Sequence, residues 1–207
     1  MKLYYAKGAC SLAVRITINE LGLKSEYESV DLKTKQTETG QDFLKINSKG
    51  AVPTLLTDQG EILTENAVIQ QYLADEAQAT QLLPKTGDFK RYRVLEWQNY
   101  VSTELHKGVG ILFNPNLPQE MREKITIPAI KSKMAYLNQH LGSHTYLLGD
   151  QFTLPDAYLF VILNWVIYHQ FNLSDWPNVH RYFAALQQRP SIQKSMKEEK
   201  LQTELAK

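Results

Sequence analysis

Cys10 is the only cysteine of the chain, and its setting gives it chemistry. It follows an apolar strand-like run, Leu3-Tyr4-Tyr5-Ala6, and a small-residue turn, Gly8-Ala9, and it opens a helical pattern at Ser11-Leu12. A thiol at a helix start faces amide N–H groups and the positive end of the dipole, which favours thiolate over thiol. The competing reading is a small buried hydrophobe. Other groups in the first 75 residues weigh against that reading.

Val52-Pro53 is one of them. Proline cannot donate to a sheet ladder, so Pro53 belongs at an edge or at a strand's first residues. A cis peptide there would turn the Val52 backbone groups outward, where an extended peptide-like ligand can pair with them as an added strand. A second is Thr64-Glu65-Asn66, which closes a strand and opens a helix. The helix N-terminus offers N–H groups to a carboxylate while the Glu65 carboxylate can hold an ammonium, so the corner suits both charges of an amino-acid head group. The alternative is plain capping, with Thr64 or Asn66 satisfying amides and Glu65 complementing the dipole. Outside the first 75 residues, His106 on a helix shares a face with Asn99, Thr103 and Gly110. Neutral, its imidazole could accept a proton or hold a water, and charged it would lower a nearby thiol's pKa. A histidine with a structural hydrogen bond fits equally well.

Several candidates carry no chemistry. His140 and His144 are interrupted by Gly142-Ser143 and have no third ligand nearby, so no metal is expected. Gly108-Val109-Gly110 lacks a preceding strand and a third glycine, and no Walker pattern occurs, so no nucleotide is expected. Trp97, Trp165, Tyr168 and Phe113 read as core, although Phe113, Trp165 and His169 could border a pocket for a hydrophobic co-substrate.

The elements that must position these residues change character along the chain. Lys2 to Ala6 and Tyr27 to Leu32 read as strands, with Val30 and Leu32 on one face, and Ser11 to Leu21 as the helix between them, a βαβ unit with parallel strands. A short helical stretch at Asp42 to Ile46 ends in the turn Asn47-Ser48-Lys49-Gly50. Val52 to Thr57 and Glu61 to Thr64 flank Asp58-Gln59-Gly60 as a hairpin, and a helix follows from Glu65 to about Asp75. This order is that of a thioredoxin-like domain, placed at residues 1–80. Beyond a linker at 76–87 nothing reads as a strand. Residues 88–207 are expected as an all-helical domain with helices at 88–113, 118–140, 153–169 and 177–188 and a last segment after Pro190. Thr153-Leu154-Pro155-Asp156 has the hydroxyl, proline and acid of a capping box.

Composition narrows the function classes. With 43% hydrophobic residues, 22% charged and a net charge of +1, the chain reads as an ordinary globular protein. It has no block of like charge to attract nucleic acid or an anionic membrane. A single cysteine forms no intramolecular disulfide, and Met1-Lys2-Leu3-Tyr4 lacks a signal-peptide apolar core, so a reducing cytoplasm is expected. The longest apolar stretch, Ala157 to Leu163, is too short for a membrane span.

Tyr4-Tyr5-Ala6-Lys7-Gly8-Ala9-Cys10-Ser11-Leu12, Asn47-Ser48-Lys49-Gly50-Ala51-Val52-Pro53, Leu63-Thr64-Glu65-Asn66 and Gln71-Tyr72-Leu73-Ala74-Asp75 together resemble a cytosolic glutathione transferase of the bacterial beta class. Glu96-Trp97-Gln98-Asn99-Tyr100, Thr103-Glu104-Leu105-His106-Lys107-Gly108 and Phe152-Thr153-Leu154-Pro155-Asp156-Ala157-Tyr158-Leu159-Phe160 are similar to the same class, so the resemblance covers essentially the whole chain. It implies a glutathione site in the cleft between domains. Cys10 would sit beside the glutathione sulfur, Val52 would pair with the cysteinyl part ahead of a cis Pro53, and Glu65 with the Asn66 amide would take the γ-glutamyl ammonium and carboxylate. Lys35 would reach the glycyl carboxylate, and Asn99, Thr103, Glu104 and His106 would line the site from the second domain. Many members have serine where Asn66 stands, which puts the side-chain contact in question. The Cys10 and His106 pairing places Cys10 ahead of Tyr5 as the sulfur's partner.

The implied reaction is attack of glutathione thiolate on an electrophilic carbon, with thiol–disulfide exchange at Cys10 as a linked activity and a homodimer as the assembly. A specialised glutathione-dependent dehalogenase or isomerase, and a non-catalytic interaction module of the same fold, remain as alternatives.

Overall fold

The computed structural model describes residues 1–201, which divide into two compact units. The first comprises Met1–Ala79 and the described part of the segment starting at Pro190, and the second runs from Thr80 to Arg189.

In the first unit a mixed sheet has the order β3-β2-β1-β4-β5. Its strands are β1 (Lys2–Tyr5), β2 (Glu26–Asp31), β3 (Gln36–Thr37), β4 (Thr54–Leu56) and β5 (Ile62–Thr64), with helices α1 (Ser11–Glu20) and α2 (Asn66–Glu76). β1 runs parallel to β2, with Leu3 opposite Tyr27, and antiparallel to β4, with Leu3 opposite Leu55. Because successive strand residues face opposite ways, Leu3 enters a core with Val14, Ile18, Leu55, Ile69 and Leu73. Tyr4 enters a second cluster with Val30, Phe43 and Val52. Every residue of α1 from Ser11 to Ile18 is buried, so the helix that starts after Cys10 is held on all sides.

One local reading of the sequence is corrected here, and one strand is added to it. β2 ends at Asp31 and Leu32 is exposed, and the two-residue β3 is too short and polar to show a period.

The last helix, α9 (Pro190–Glu198), groups with the first unit, whereas the sequence reading placed 88–207 in one helical domain. The reason is a set of polar pairs with α1. Arg15 Nε donates to Glu199 at 3.1 Å, Asn19 Nδ2 to Ser195 Oγ at 2.8 Å, and Ser191 Oγ to Glu20 at 2.5 Å. An amphipathic stripe says that a helix packs, not against what. Residues 202–207 of that expected domain lie outside the described residues.

The second unit is helical. α3 (Phe89–Tyr100), capped by Asp88, runs into a π-turn at Val101–His106, then α4 (Lys107–Gly110) and a 3-10 turn at Ile111–Phe113. α5 (Gln119–Met121) and a second π-turn lead into α6 (Ile127–His140), followed by α7 (Leu154–Tyr168) and α8 (Pro177–Gln187). α7 is buried without a break from Leu154 to Leu163. Its start is fixed by Asp156, which accepts from Thr153 N and Oγ1 at 2.8 and 2.9 Å, from Leu147 N at 2.9 Å and from Tyr182 OH at 2.7 Å. Burial pushes the Asp156 carboxyl up, and these four hydrogen bonds oppose that rise.

Candidate active site

In the first unit, Cys10 is the N-cap of α1 and no side chain caps that helix. The thiol is buried and donates to Val52 O at 3.3 Å. Val52 precedes Pro53 through a cis peptide bond. Cys10 therefore lies against the backbone that an extended ligand would have to pair with. A thiolate cannot donate a hydrogen bond, so loss of the thiol proton gives up the Val52 contact.

The corner at Glu65 is built differently from a cap. Glu65 sits at φ 72°, ψ 118°, and makes no cap hydrogen bond to α2. Its carboxylate instead takes Lys49 Nζ at 2.6 Å, and Lys49 also reaches Thr64 Oγ1 at 3.0 Å. Asn66 turns its Nδ2 to the Cys10 carbonyl at 2.6 Å. None of the three side chains read as possible caps serves α2, whose first N–H groups stay open to an anion. Positive φ for a glutamate costs on the order of 1 kcal/mol or more, and such strain is common where a side chain must be aimed at a ligand. Lys35, also at positive φ (57°), donates to Gly50 O at 2.8 Å.

Tyr5 is occupied elsewhere. The Arg15 guanidinium carbon lies 4.4 Å from its ring centre and 3.7 Å from that of Tyr27.

In the second unit, His106 ends the π-turn. Its Nδ1 meets Tyr158 OH at 2.5 Å, and its ring lies edge-on to Trp165 at 4.9 Å. Burial first, and the Lys107 charge second, pull the imidazole down to about 4. His106 is therefore neutral near pH 7, which removes the charged option read from sequence. With Nδ1 engaged by Tyr158, Nε2 is the nitrogen available to a ligand. Gly110 keeps that edge open: a methyl group there would stand 3.5 Å from His106 Cδ2 and 3.7 Å from Trp165 Cζ3.

Phe113, Trp165 and His169 do come together. Phe113 lies 5.3 Å from Trp165 and 4.5 Å from His169 between ring centres, and stacks on Tyr168 at 5.5 Å. Burial, then the Arg122 charge, lowers the His169 imidazole, and its Nε2 is buried without a hydrogen-bond partner.

Asn99, Thr103 and Glu104 are exposed. Thr103 Oγ1 bonds back to Asn99 O at 3.0 Å, and Glu104 pairs with Lys133 at 2.7 Å. The π-turn adds a residue to the local turn, so the regular helical spacing that put Asn99, Thr103 and His106 on one face does not hold there.

Sequence reasoning missed Lys49 and Tyr158. Lys49 read only as part of a turn, and Tyr158 only as an apolar-helix residue, with no pattern linking it to His106, 52 positions earlier. His140 and His144 stack at 4.4 Å, with His140 Nε2 on Leu147 O and His144 Nδ1 on His140 O. Among the described residues no group of three or more His, Cys, Asp or Glu could hold a metal ion.

Residues 8–76 match the family model for the glutathione S-transferase N-terminal domain, and residues 100–190 match that for the C-terminal domain. The chain belongs to the glutathione S-transferase family. Glutathione S-transferase GstA of Escherichia coli O157:H7 is 40% identical, covering 97% of this chain and 100% of the relative. A ternary complex of BphK, a bacterial GST, superposes with TM-score 0.94 at 40% identity, covering 97% of this chain and all of that one. The bacterial beta class glutathione S-transferase of Sphingomonas chungbukensis gives 0.93 at 37% identity, over 98% and 100% of the two chains. This glutathione transferase is thus of the bacterial beta class, a transferase with glutathione as its co-substrate, on a thioredoxin-like domain followed by a helical one. Among the described residues no helix is long and apolar enough to cross a membrane.

Proposed function

We propose that the first unit of this glutathione transferase holds the tripeptide by its backbone and both ends. Val52 pairs with the cysteinyl residue, Glu65 takes the γ-glutamyl ammonium, the open Asn66 amide takes the adjacent carboxylate, and Lys35 takes the glycyl carboxylate. In the second unit, Phe113, Trp165 and His169 receive a hydrophobic electrophile. The observation that supports this most is the 3.3 Å contact of Cys10 Sγ with Val52 O, which puts the thiol beside the backbone on which a cysteinyl ligand would be paired.

In conjugation, glutathione thiolate attacks an electrophilic carbon, a C–S bond forms, and the leaving group departs with its electron pair. In the second unit, neutral His106 holds a water through Nε2. In exchange, Cys10 thiolate attacks the glutathionyl sulfur of a mixed disulfide, forming Cys10–S–SG and releasing the other thiolate. A ligand amide that takes over the Val52 carbonyl would release the Cys10 thiol for that step. The enzyme works as a cytoplasmic homodimer in this reading.

Cys10→Ala tests the exchange half directly. It is expected to abolish the glutathionyl adduct seen by intact mass after exposure to oxidised glutathione, and to remove exchange activity while leaving glutathione binding within a few-fold. Full exchange activity in the variant would exclude Cys10 as the redox thiol.

A further inference from the structure

The loop carrying Cys10 is gripped at two backbone atoms by buried side chains from distant parts of the chain. Glu199, its side chain 0% exposed, accepts Gly8 N–H at 2.9 Å through Oε2 and pairs through Oε1 with Arg15. Asn66 donates to the Cys10 carbonyl at 2.6 Å. The loop also fits closely under the C-terminal segment: Gly8 sits at φ +69°, and a methyl group there would lie 3.5 Å from Leu201 Cδ2.

Asn66 is a costly residue for packing alone. It is 6% exposed, and its Oδ1 is buried with no hydrogen-bond partner. An unpaired acceptor in the interior destabilises a fold, and an apolar side chain of similar size would avoid that. What an apolar side chain cannot do is donate to Cys10. Glu199 presents a similar case, because a buried ion pair with Arg15 is weak evidence for stability, yet its second oxygen fixes the Gly8 amide.

We propose that Asn66 and Glu199 are positioning residues that pin the Cys10 loop, one at the Cys10 carbonyl and the other at the Gly8 amide, and so set the reactivity of the thiol. Neither touches sulfur. The backbone they hold keeps Sγ at the N-terminus of α1 and against Val52. This rests on Cys10 being the reactive thiol, but not on glutathione binding.

The test is the rate of Cys10 alkylation by iodoacetamide from about pH 6 to about pH 9, read beside the melting temperature. As the only cysteine, Cys10 reports alone. Asn66→Leu is expected to melt at or above the wild-type temperature while alkylating about threefold or more slowly at neutral pH, with its profile moved to higher pH. A purely structural role predicts the reverse, lower melting with an unmoved profile, and that result would overturn the proposal.

A second pair isolates Gly8. Arg15→Met/Glu199→Gln keeps an acceptor for its N–H and should alkylate close to wild type, whereas Arg15→Met/Glu199→Met should be displaced; identical profiles for the two would remove Glu199 from the proposal. No glutathione is present, so a displaced profile stands even if a separate titration shows no glutathione binding.

Discussion

Glu65 joins two features that are unfavourable for the fold alone: a left-handed backbone and a carboxylate spent on an exposed lysine. An exposed ion pair such as Glu65–Lys49 is worth about 0–1 kcal/mol, so Glu65→Ala is expected to change stability little. Its loss as a charge-assisted ligand contact should weaken glutathione binding by about 1.5–3 kcal/mol, roughly tenfold to a hundredfold. Glu65→Gly sharpens the contrast, because glycine adopts φ 72° without a Cβ penalty. It should be as stable as wild type or about 1 kcal/mol more so, with binding equally impaired. Equal losses of stability and binding in Glu65→Ala would favour the capping reading instead. His106 gives a pH dependence. Its imidazole lies near 4 in the folded chain against an ordinary 6.5, so between those values the unfolded chain binds more protons. Stability should therefore be complete above about pH 6.5 and fall as pH drops towards 4, by on the order of 3 kcal/mol from this group. Denaturation of His106→Asn at pH 7 and at pH 4.5 should show a narrower gap than wild type, and an NMR titration should find the His106 ring unchanged from pH 8 to about pH 5.5. A ring titrating near 6.5 would contradict the neutral assignment.

Among the elements, α7 carries the most weight for the site. Asp156 gathers four donors at its start, and two residues later Tyr158 holds Nδ1 of His106. Asp156→Ala removes the cap and leaves the Leu147 and Thr153 amides and the Tyr182 hydroxyl without their acceptor. A loss of about 3 kcal/mol is expected, read as a lower denaturation midpoint, together with reduced activity from a loosened Tyr158. A change under about 0.5 kcal/mol would show that the box is dispensable. This element was legible in sequence, because Thr153, Pro155 and Asp156 are local signals whose spacing carries their meaning. The βαβ unit and the hairpin were legible for the same reason, through period and turn residues. The π-turn at Val101–His106 was not. It leaves no composition mark, and it breaks the spacing that had grouped Asn99, Thr103 and His106. Contacts such as Lys49 to Glu65, Tyr158 to His106 and Asn66 to Cys10 depend on packing between segments far apart in sequence, which periodicity does not encode.

At the scale of the described residues, the last helix belongs with the first unit. α9 lies on α1, and Arg15 is 3% exposed beside two carboxylates of the terminal segment. Nothing in the Lys- and Glu-rich segment after Pro190 distinguished this from a solvated last helix, so the first unit was drawn without it. The two family domains in one chain were readable because their motifs span its length. The most direct measurement is calorimetric titration of the protein with reduced glutathione, followed by intact mass after exposure to oxidised glutathione. Saturable binding, weakened in Glu65→Ala, with one glutathionyl adduct that Cys10→Ala lacks, is the predicted result. No saturable binding, or an unaltered isotherm in Glu65→Ala, would contradict the glutathione site assigned to Cys10, Val52, Glu65 and Asn66.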